Sequence, residues 1–169
     1  QERIYVRSYP VKLSHFFNTI SGLAISVAIG FLDYEWADIN LYRLLFVTEM
    51  SMMKVVDGGE FDVNKRTVSA TKLQDGDKVL SVVSLLEQRN IVLQSKAGYF
   101  LRFPIEEIPE KKKTAVGVRG MKLDAKDRLE AVYYTQNATT VTIPYKSKEI
   151  VLNSIKLGKR DGKGTKVRG

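Results

Sequence analysis

The sequence predicts an all-β protein built from about four propeller-like repeats. Its apolar runs are short and rich in β-branched and aromatic residues, as in strands, and glycine-containing turns separate them. A sequence unit also recurs every 47 to 49 residues. Its clearest match is Val118-Arg119-Gly120, which returns 49 positions later as Val167-Arg168-Gly169. A period of this length indicates stacked supersecondary units, each of which buries its apolar face against a neighbour.

The predicted strands follow one another with explicit turns between them. Asp57-Gly58-Gly59, Asp75-Gly76-Asp77, Ala97-Gly98 and Asp161-Gly162 indicate turns, because glycine supplies the positive φ that a tight connection needs. No segment carries a long apolar period of 3.6 residues, and Glu106-Glu107-Ile108 suggests one short helical turn. The predicted strands are residues 44–48, 79–83, 91–93, 99–103, 129–135, 139–143 and 149–152.

The repeat is supported by further matches at a spacing of 50. Lys72-Leu73 returns as Lys122-Leu123, and Asp77-Lys78-Val79 returns in kind as Asp127-Arg128-Leu129. Four strands in a unit of about 45 residues favour a propeller-like ring of small sheets. A β-sandwich is the alternative, but nothing in a sandwich requires a lysine-rich loop at a constant interval. The expected units are approximately residues 1–41, 42–88, 89–137 and 138–169, of which the first fits least well.

The start of the chain and its composition limit the setting. The chain begins at Gln1 rather than Met, so we expect a piece of a longer protein and a fragment of a larger disc. Residues 20–31 form the most apolar stretch, which is shorter than the roughly 20 residues of a membrane-spanning helix. We therefore expect no membrane association. Cysteine is absent, which suits a reducing cytoplasm.

Positive charge is concentrated at one end of the sequence. The chain carries a net charge of +8, yet residues 1–50 and 51–110 each sum to −1, whereas residues 111–169 hold 15 basic and 5 acidic residues. Such a field attracts polyanions, most often nucleic acid. A solvated surface is the alternative, but the basic residues recur within the repeat, which favours a binding surface. The candidates are Lys111, Lys112, Lys113, Arg119, Lys122, Lys156, Lys159, Arg160, Lys163, Lys166 and Arg168.

A second set of cations lies inside strand-like runs. Arg7, Lys54 and Arg102 are separated by 47 and then 48 positions, which suggests equivalent places in three units. Their alternating apolar neighbours are expected to point inwards, which would place the three cations on the outer face. There they could contact a ligand or merely keep exposed strands soluble.

Catalytic chemistry finds little support in the sequence. The only histidine, His15, and the paired acids Glu106-Glu107 are explained more simply by packing and turn formation, as are Asp75 and Asp77. There is no P-loop, no nucleophile elbow and no Cys/His metal spacing. We expect no catalytic residue, metal or cofactor in this domain.

Three ordered elements carry a family resemblance: 99–103 (YFLRF), 108–113 (IPEKKK) and 117–123 (GVRGMKL). Together they resemble the C-terminal domain of the A subunit of bacterial type IIA topoisomerases, which are DNA gyrase and topoisomerase IV. Residues 60–73 and 155–162 are similar to neighbouring blades of that domain. The resemblance extends from about residue 42 to residue 169.

The resemblance implies a β-pinwheel, a propeller-like disc whose blades exchange strands and whose basic outer rim binds and bends duplex DNA. It adds Lys65 and Arg66 to the candidate DNA contacts. It also implies a noncatalytic domain of an ATP-dependent enzyme in the bacterial cytoplasm, at the nucleoid. Its partners would be the ATPase B subunit together with the remainder of the A subunit. Gyrase has a glutamine-led, basic, glycine-rich box. Residues 159–164 (KRDGKG) come closest to it but place Asp161 inside, which favours a topoisomerase IV type.

Two other functions remain open from the residues. A propeller could act as a protein-interaction scaffold whose basic edge docks an acidic partner, or it could be an enzyme with a site at the ring centre. Salt-sensitive binding and bending of duplex DNA would separate the DNA-binding function from these two.

Overall fold

The computed structural model describes residues 3–5, 42–62, 67–85, 88–136 and 139–168. Within these ranges the chain forms strands and short 3₁₀ helices, so the predicted all-β class is confirmed. No helix in them is long or apolar enough to cross a membrane. The strands are β1 (Arg3–Tyr5), β2 (Arg43–Thr48), β3 (Met52–Asp57), β4 (Thr67–Ser69), β5 (Val79–Ser84), β6 (Asn90–Ser95), β7 (Tyr99–Pro104), β8 (Val118–Arg119), β9 (Leu129–Thr135), β10 (Thr142–Tyr145), β11 (Lys148–Val151) and β12 (Thr165–Lys166). The 3₁₀ helices are η1 (Gly58–Phe61), η2 (Ile105–Glu107) and η3 (Leu152–Ser154).

Two four-stranded antiparallel sheets share one design. The first blade has the order β5-β2-β3-β8, and the second has the order β9-β6-β7-β12. In each blade the central hairpin is flanked on one side by the strand that follows it and on the other by a strand from much later in the chain. Thus β8 lies beyond β6 and β7 in sequence but pairs with β3. The blades therefore exchange their outer strands. The hairpin β10–β11 begins a third unit of the same kind.

The structural period of the hairpins is 47 residues. The three 3₁₀ helices begin at Gly58, Ile105 and Leu152, and each backbone N–H at these positions donates to a carbonyl preceding its hairpin. The outer strands keep the same interval, because Met52 pairs with Arg119 and Tyr99 pairs with Lys166. The short turn predicted at Glu106-Glu107-Ile108 corresponds to η2.

The most literal sequence match has the wrong register. Because β8 and β12 occupy corresponding places, the structural counterpart of Arg119 is Lys166, which lies 47 residues on, and not Arg168, which lies 49 residues on. The tripeptide of residues 118–120 therefore recurs two positions beyond its structural equivalent. Residue identity gave the interval approximately, and strand pairing fixes it.

The matches at a spacing of 50 are structurally equivalent. Asp77 Oδ1 accepts a hydrogen bond from the backbone N–H of Met50 at 2.9 Å, and Asp127 Oδ1 accepts one from that of Ala97 at 3.0 Å. Each carboxylate also accepts from the next residue's N–H. The interval grows from 47 to 50 because the chain between the 3₁₀ helix and the following long strand is three residues longer in the second blade. These aspartates are turn residues, as expected.

Apolar side chains between the blades form the core. One face of the second blade presents Ile91, Leu93 and Phe103, and this face packs against Leu45 and Val55 of the first. The opposite face packs on the third hairpin through a smaller cluster. Alternation along β6 and β7 produces the two faces, because successive strand residues point in opposite directions. That smaller cluster consists of Val92, Phe100, Ile143 and Leu152.

Glycine is required where the chain enters an outer strand. Gly117 has φ +104°, and a Cβ there would lie 2.4 Å from the carbonyl oxygen of Met53. Gly164, 47 residues on, has φ +78°, and a Cβ there would lie 2.5 Å from the carbonyl oxygen of Phe100. The loop thus crosses closely over the neighbouring strand's backbone at both places, and only glycine fits.

Gly117→Ala is expected to lower the free energy of unfolding by about 2–4 kcal/mol. A left-handed conformation costs an L-residue roughly 1–2 kcal/mol, and relieving the contact with a strand carbonyl requires a backbone shift that costs about 1–3 kcal/mol. Gly76→Ala is the matched control, because Gly76 has φ +75° and open space around it. Urea denaturation of both variants measures the difference. Equal losses would contradict the close approach of the loop.

Candidate nucleic-acid interface

Exposed cations recur at the blade spacing along the outer strands and the loops before them. Arg119 on β8 corresponds to Lys166 on β12, and Lys112 corresponds to Lys159, each pair 47 residues apart and exposed. Because β8 and β12 are the terminal strands of their sheets, these side chains lie at one edge of each blade. We call the exposed members of the predicted set the basic edge. It consists of Lys111, Lys112, Arg119, Lys122, Lys156, Lys159, Lys163, Lys166 and Arg168.

Lys113 and Arg160 form a third pair at the same interval, but they are half-buried and hold the loops in place. The backbone N–H groups of Lys113 and Arg160 donate to Glu60 Oε2 and Glu107 Oε2, each at 2.8 Å. Their side chains also donate to the backbone carbonyls of the same glutamates. Sequence reasoning missed the two glutamates, although their own spacing of 47 was a readable signal.

The loop of the second blade is joined to the outer strand of the first around Asp161. Arg119 donates to this carboxylate through two nitrogens, Nε at 2.5 Å from Oδ1 and Nη2 at 3.0 Å from Oδ2. Arg160 Nη1 donates to the Arg119 carbonyl at 2.7 Å, and the Lys122 N–H donates to the Gly162 carbonyl at 2.8 Å. Two basic segments far apart in sequence therefore meet.

Asp161 stays charged at this junction. The hydrogen bond from Arg119 holds the pKa of the Asp161 carboxyl below its usual value, and the positive charges of Arg119, Lys122 and Arg160 act in the same direction. The carboxylate in turn raises the pKa of Arg119. Three cations thus surround one anion, which leaves a positive excess at the junction.

Two further cations gather at Tyr99. Lys163 Nζ lies 5.3 Å and Lys166 Nζ lies 5.5 Å from the centroid of its ring. Lys163 Nζ also lies 3.2 Å from Asp124 Oδ1, and both partners of that ion pair are largely exposed. Such exposed pairs contribute little stability, about 0–1 kcal/mol. A competing anion could therefore replace the carboxylate at low cost.

The expectation of outward cations at equivalent strand positions is wrong for Lys54 and Arg102. Lys54 is 1% exposed, and Arg102 is half-buried with Nη1 2.5 Å from the Asn153 carbonyl oxygen. They are 48 residues apart whereas the hairpins repeat at 47, and a shift of one residue turns a strand side chain to the other face. Arg7, Lys65 and Arg66 lie outside the described residues.

The structure gives the candidate acids structural contacts. Glu107 binds the backbone N–H of Arg160, and Asp77 accepts hydrogen bonds from two backbone N–H groups. Within the described ranges no three His, Cys, Asp or Glu side chains are grouped to hold a metal ion. His15 lies outside these ranges.

Comparison with known proteins places this arrangement in a family. A family model described as the DNA gyrase C-terminal domain, a β-propeller, matches residues 42–85 and 89–136, which together exceed half of the chain. The gyrase A protein of Rickettsia felis is 35% identical over 95 residues, which cover 55% of this chain and 10% of that protein. The corresponding protein of DNA topoisomerase 4 from Streptococcus pneumoniae is 29% identical over 123 residues, which cover 69% of this chain and 15% of that protein. The chain thus spans a small fraction of these curated relatives.

Solved structures share the fold. The C-terminal domain of a DNA topoisomerase IV superposes with a TM-score of 0.65 at 22% identity and covers 73% of this chain and 40% of its own. The E. coli ParC C-terminal domain gives a TM-score of 0.67 at 20% identity, with 79% and 58% covered. The predicted propeller-like architecture with exchanged strands is confirmed by these neighbours and by the sheet topology.

Proposed function

This chain belongs to the DNA gyrase C-terminal domain family of β-propellers, and from that premise we propose that it binds and bends duplex DNA as a noncatalytic domain of the A subunit of a type IIA topoisomerase. The observation that carries the proposal is the recurrence of exposed cations at the blade spacing, Lys112 with Lys159 and Arg119 with Lys166. A duplex is a periodic polyanion. Cations repeated by the folding unit can therefore contact its backbone at successive places.

The chemistry of the basic edge favours binding without sequence readout. Ammonium and guanidinium groups on loops and edge strands suit phosphate oxygens, and such contacts fix position but carry little sequence information. Any preference among sequences would arise from how easily each duplex bends, since bending a short site costs on the order of 1–6 kcal/mol. Several contacts acting together are needed to hold a curved path.

The wider setting belongs to the same proposal. The domain would present a DNA segment to the cleavage core in the remainder of the A subunit, which works with the ATPase B subunit in the bacterial cytoplasm at the nucleoid. It would need no cofactor of its own. Relatives of both enzyme types match the chain, and Asp161 within residues 159–164 supports a topoisomerase IV type, because Arg119 occupies its carboxylate.

The test compares two charge-matched double variants. Lys112→Ala with Lys159→Ala removes two members of the basic edge, whereas Lys78→Ala with Lys126→Ala removes two exposed lysines beside β5 and β9, at the opposite edges of the sheets. The first pair is expected to weaken duplex binding roughly 10- to 100-fold at about 0.1 M salt, because two phosphate contacts are lost. Fluorescence anisotropy measures affinity, and energy transfer between labelled duplex ends measures bending.

Two outcomes would contradict the proposal. Equal losses in both double variants would show that only net charge matters and that no edge is preferred. Binding of an acidic protein partner with no salt-sensitive duplex binding would favour the scaffold function instead.

A further inference from the structure

Lys54 is a buried cation with all of its donors in use. Its side chain lies on β3, is 1% exposed, and places Nζ 5.7 Å from the centroid of the Phe46 ring. Nζ donates to the carbonyl oxygens of Ala115 at 2.6 Å, Lys113 at 2.7 Å and Lys112 at 3.2 Å. An ammonium group has three N–H donors, and here each has a backbone acceptor. The sequence around these acceptors is the lysine-rich loop of the first blade.

These three hydrogen bonds support the loop from beneath with a positive charge. The Lys112 carbonyl also accepts from the Ala115 N–H at 2.9 Å, and the Lys113 carbonyl accepts from the Lys72 N–H at 3.2 Å, but these two donors are neutral backbone groups. Hydrogen bonds from an ionised donor are roughly twice as strong as neutral ones. Loss of the Lys54 ammonium would therefore remove the strongest contacts that hold the loop against β3.

We propose that Lys54 is a positioning residue whose ammonium group fixes the backbone of residues 112–115, and so the path on which Lys111 and Lys112 are presented to duplex DNA. The second half of this statement rests on the proposed function. The first half concerns only the folded chain, so the two can be tested separately.

The second blade supports its corresponding loop without a charge. The strand position that matches Lys54 at the interval of 47 is Leu101. A Cβ built on Gly158 or on Gly162 would lie 3.3 Å from Leu101 Cδ1, so this apolar side chain lies directly under residues 158–162. The same loop is thus held by an ammonium in one blade and by leucine packing in the next. The second loop is therefore an internal control for any effect of the Lys54 charge.

Protonation of Lys54 can be changed within an accessible pH range. Burial lowers its pKa to about 8, against the opposing attraction of Glu60. Glu60 in turn binds Lys113, whose ammonium lies 5.5 Å from the centroid of the Phe61 ring. A neutral amine has two N–H donors and satisfies at most two of the three carbonyls. Residues 112–115 are therefore expected to loosen as pH rises through about 8, while residues 158–162 do not.

Global stability responds to the same titration with the opposite sign. The folded-state pKa lies below the unfolded value of about 10.4. Between these two values the unfolded chain binds more protons, so the free energy of unfolding rises with pH. Loosening of the first loop in that range is therefore distinct from unfolding of the domain.

Amide hydrogen exchange of the complete chain at pH 7 and pH 9.5, corrected for intrinsic rates, tests the inference. Exchange at residues 112–116 is expected to rise about tenfold or more relative to residues 159–163. Lys54→Met should exchange fast at this loop at both pH values, and its duplex affinity should be low and independent of pH. Wild-type affinity should fall about 3- to 10-fold across the range, which corresponds to losing about one phosphate contact.

Each outcome decides one part of the inference. Equal exchange of the two loops at both pH values in the wild-type chain would overturn the role of Lys54, and this comparison stands even if Lys54→Met does not fold. A loop that loosens with pH while duplex affinity stays constant would overturn its part in presenting Lys111 and Lys112. A loop that loosens in a chain that binds no duplex would leave the positioning role intact and would refute the proposed function.

Discussion

Raising the salt concentration from 50 to 200 mM is expected to weaken duplex binding by roughly 10³- to 10⁵-fold, if the basic edge makes about 6–10 phosphate contacts. Each contact releases condensed counterions from the duplex, so the logarithm of affinity falls linearly with the logarithm of salt concentration at about 0.9 per contact. The exposed residues of the basic edge are numerous enough for such a slope. A protein-docking edge with a few exposed ion pairs would give a much smaller one.

The ion pair at the junction of the blades makes this prediction sharper, because the slope should move in both directions. Arg119→Gln removes one cation and should lower the slope by about 0.9. Asp161→Asn removes the carboxylate that occupies Arg119 and should raise the slope by a similar amount with tighter binding. Lys78→Ala, beside β5 at the opposite edge of the first blade, is the control and should leave the slope unchanged.

Affinities measured from 50 to 200 mM salt for these four chains decide the matter. A slope below about 2 in the wild-type chain, or one that ignores both Arg119→Gln and Asp161→Asn, would rule out phosphate contacts at the junction. Tighter binding by Asp161→Asn is the more informative result, because damage to the fold weakens binding and does not strengthen it.

Phe103→Ala is expected to lower the free energy of unfolding by about 3–5 kcal/mol. Phe103 lies on β7, is fully buried, and packs in the cluster shared by the first and second blades. Its removal leaves a cavity between two sheets whose outer strands are exchanged, so neither blade can close the space alone. A loss of this size is a large part of the roughly 5–15 kcal/mol that is typical of a domain.

Urea denaturation followed by circular dichroism measures this loss. Leu157→Ala is the control, because Leu157 is 50% exposed and its truncation should change stability by less than about 0.5 kcal/mol. Phe103→Leu keeps most of the apolar volume and should fall between the two. A Phe103→Ala variant within about 1 kcal/mol of the control would show that the blades do not depend on a common core.

Local patterns were enough to predict much of this protein. Turn glycines, β-branched runs and the short helical turn after Pro104 depend on neighbouring residues, and the structure confirms them. Asp77 and Asp127 were correctly matched at a spacing of 50, because a turn aspartate binds backbone close to it in the fold of each unit. The concentration of positive charge in residues 111–169 also follows directly from the sequence. The DNA contacts proposed there remain predictions.

Only the tertiary structure decided the register and the direction of individual side chains. Pairing of β8 with β3 and of β12 with β7 set the interval at 47, which made Lys166 and not Arg168 the counterpart of Arg119. The same pairing buried Lys54 beneath the loop that carries Lys112. The physical reason is that strand side chains alternate with a period of two residues, so an interval known only to within a residue or two leaves the face undetermined. Contacts between residues about 60 positions apart in the chain then select that face.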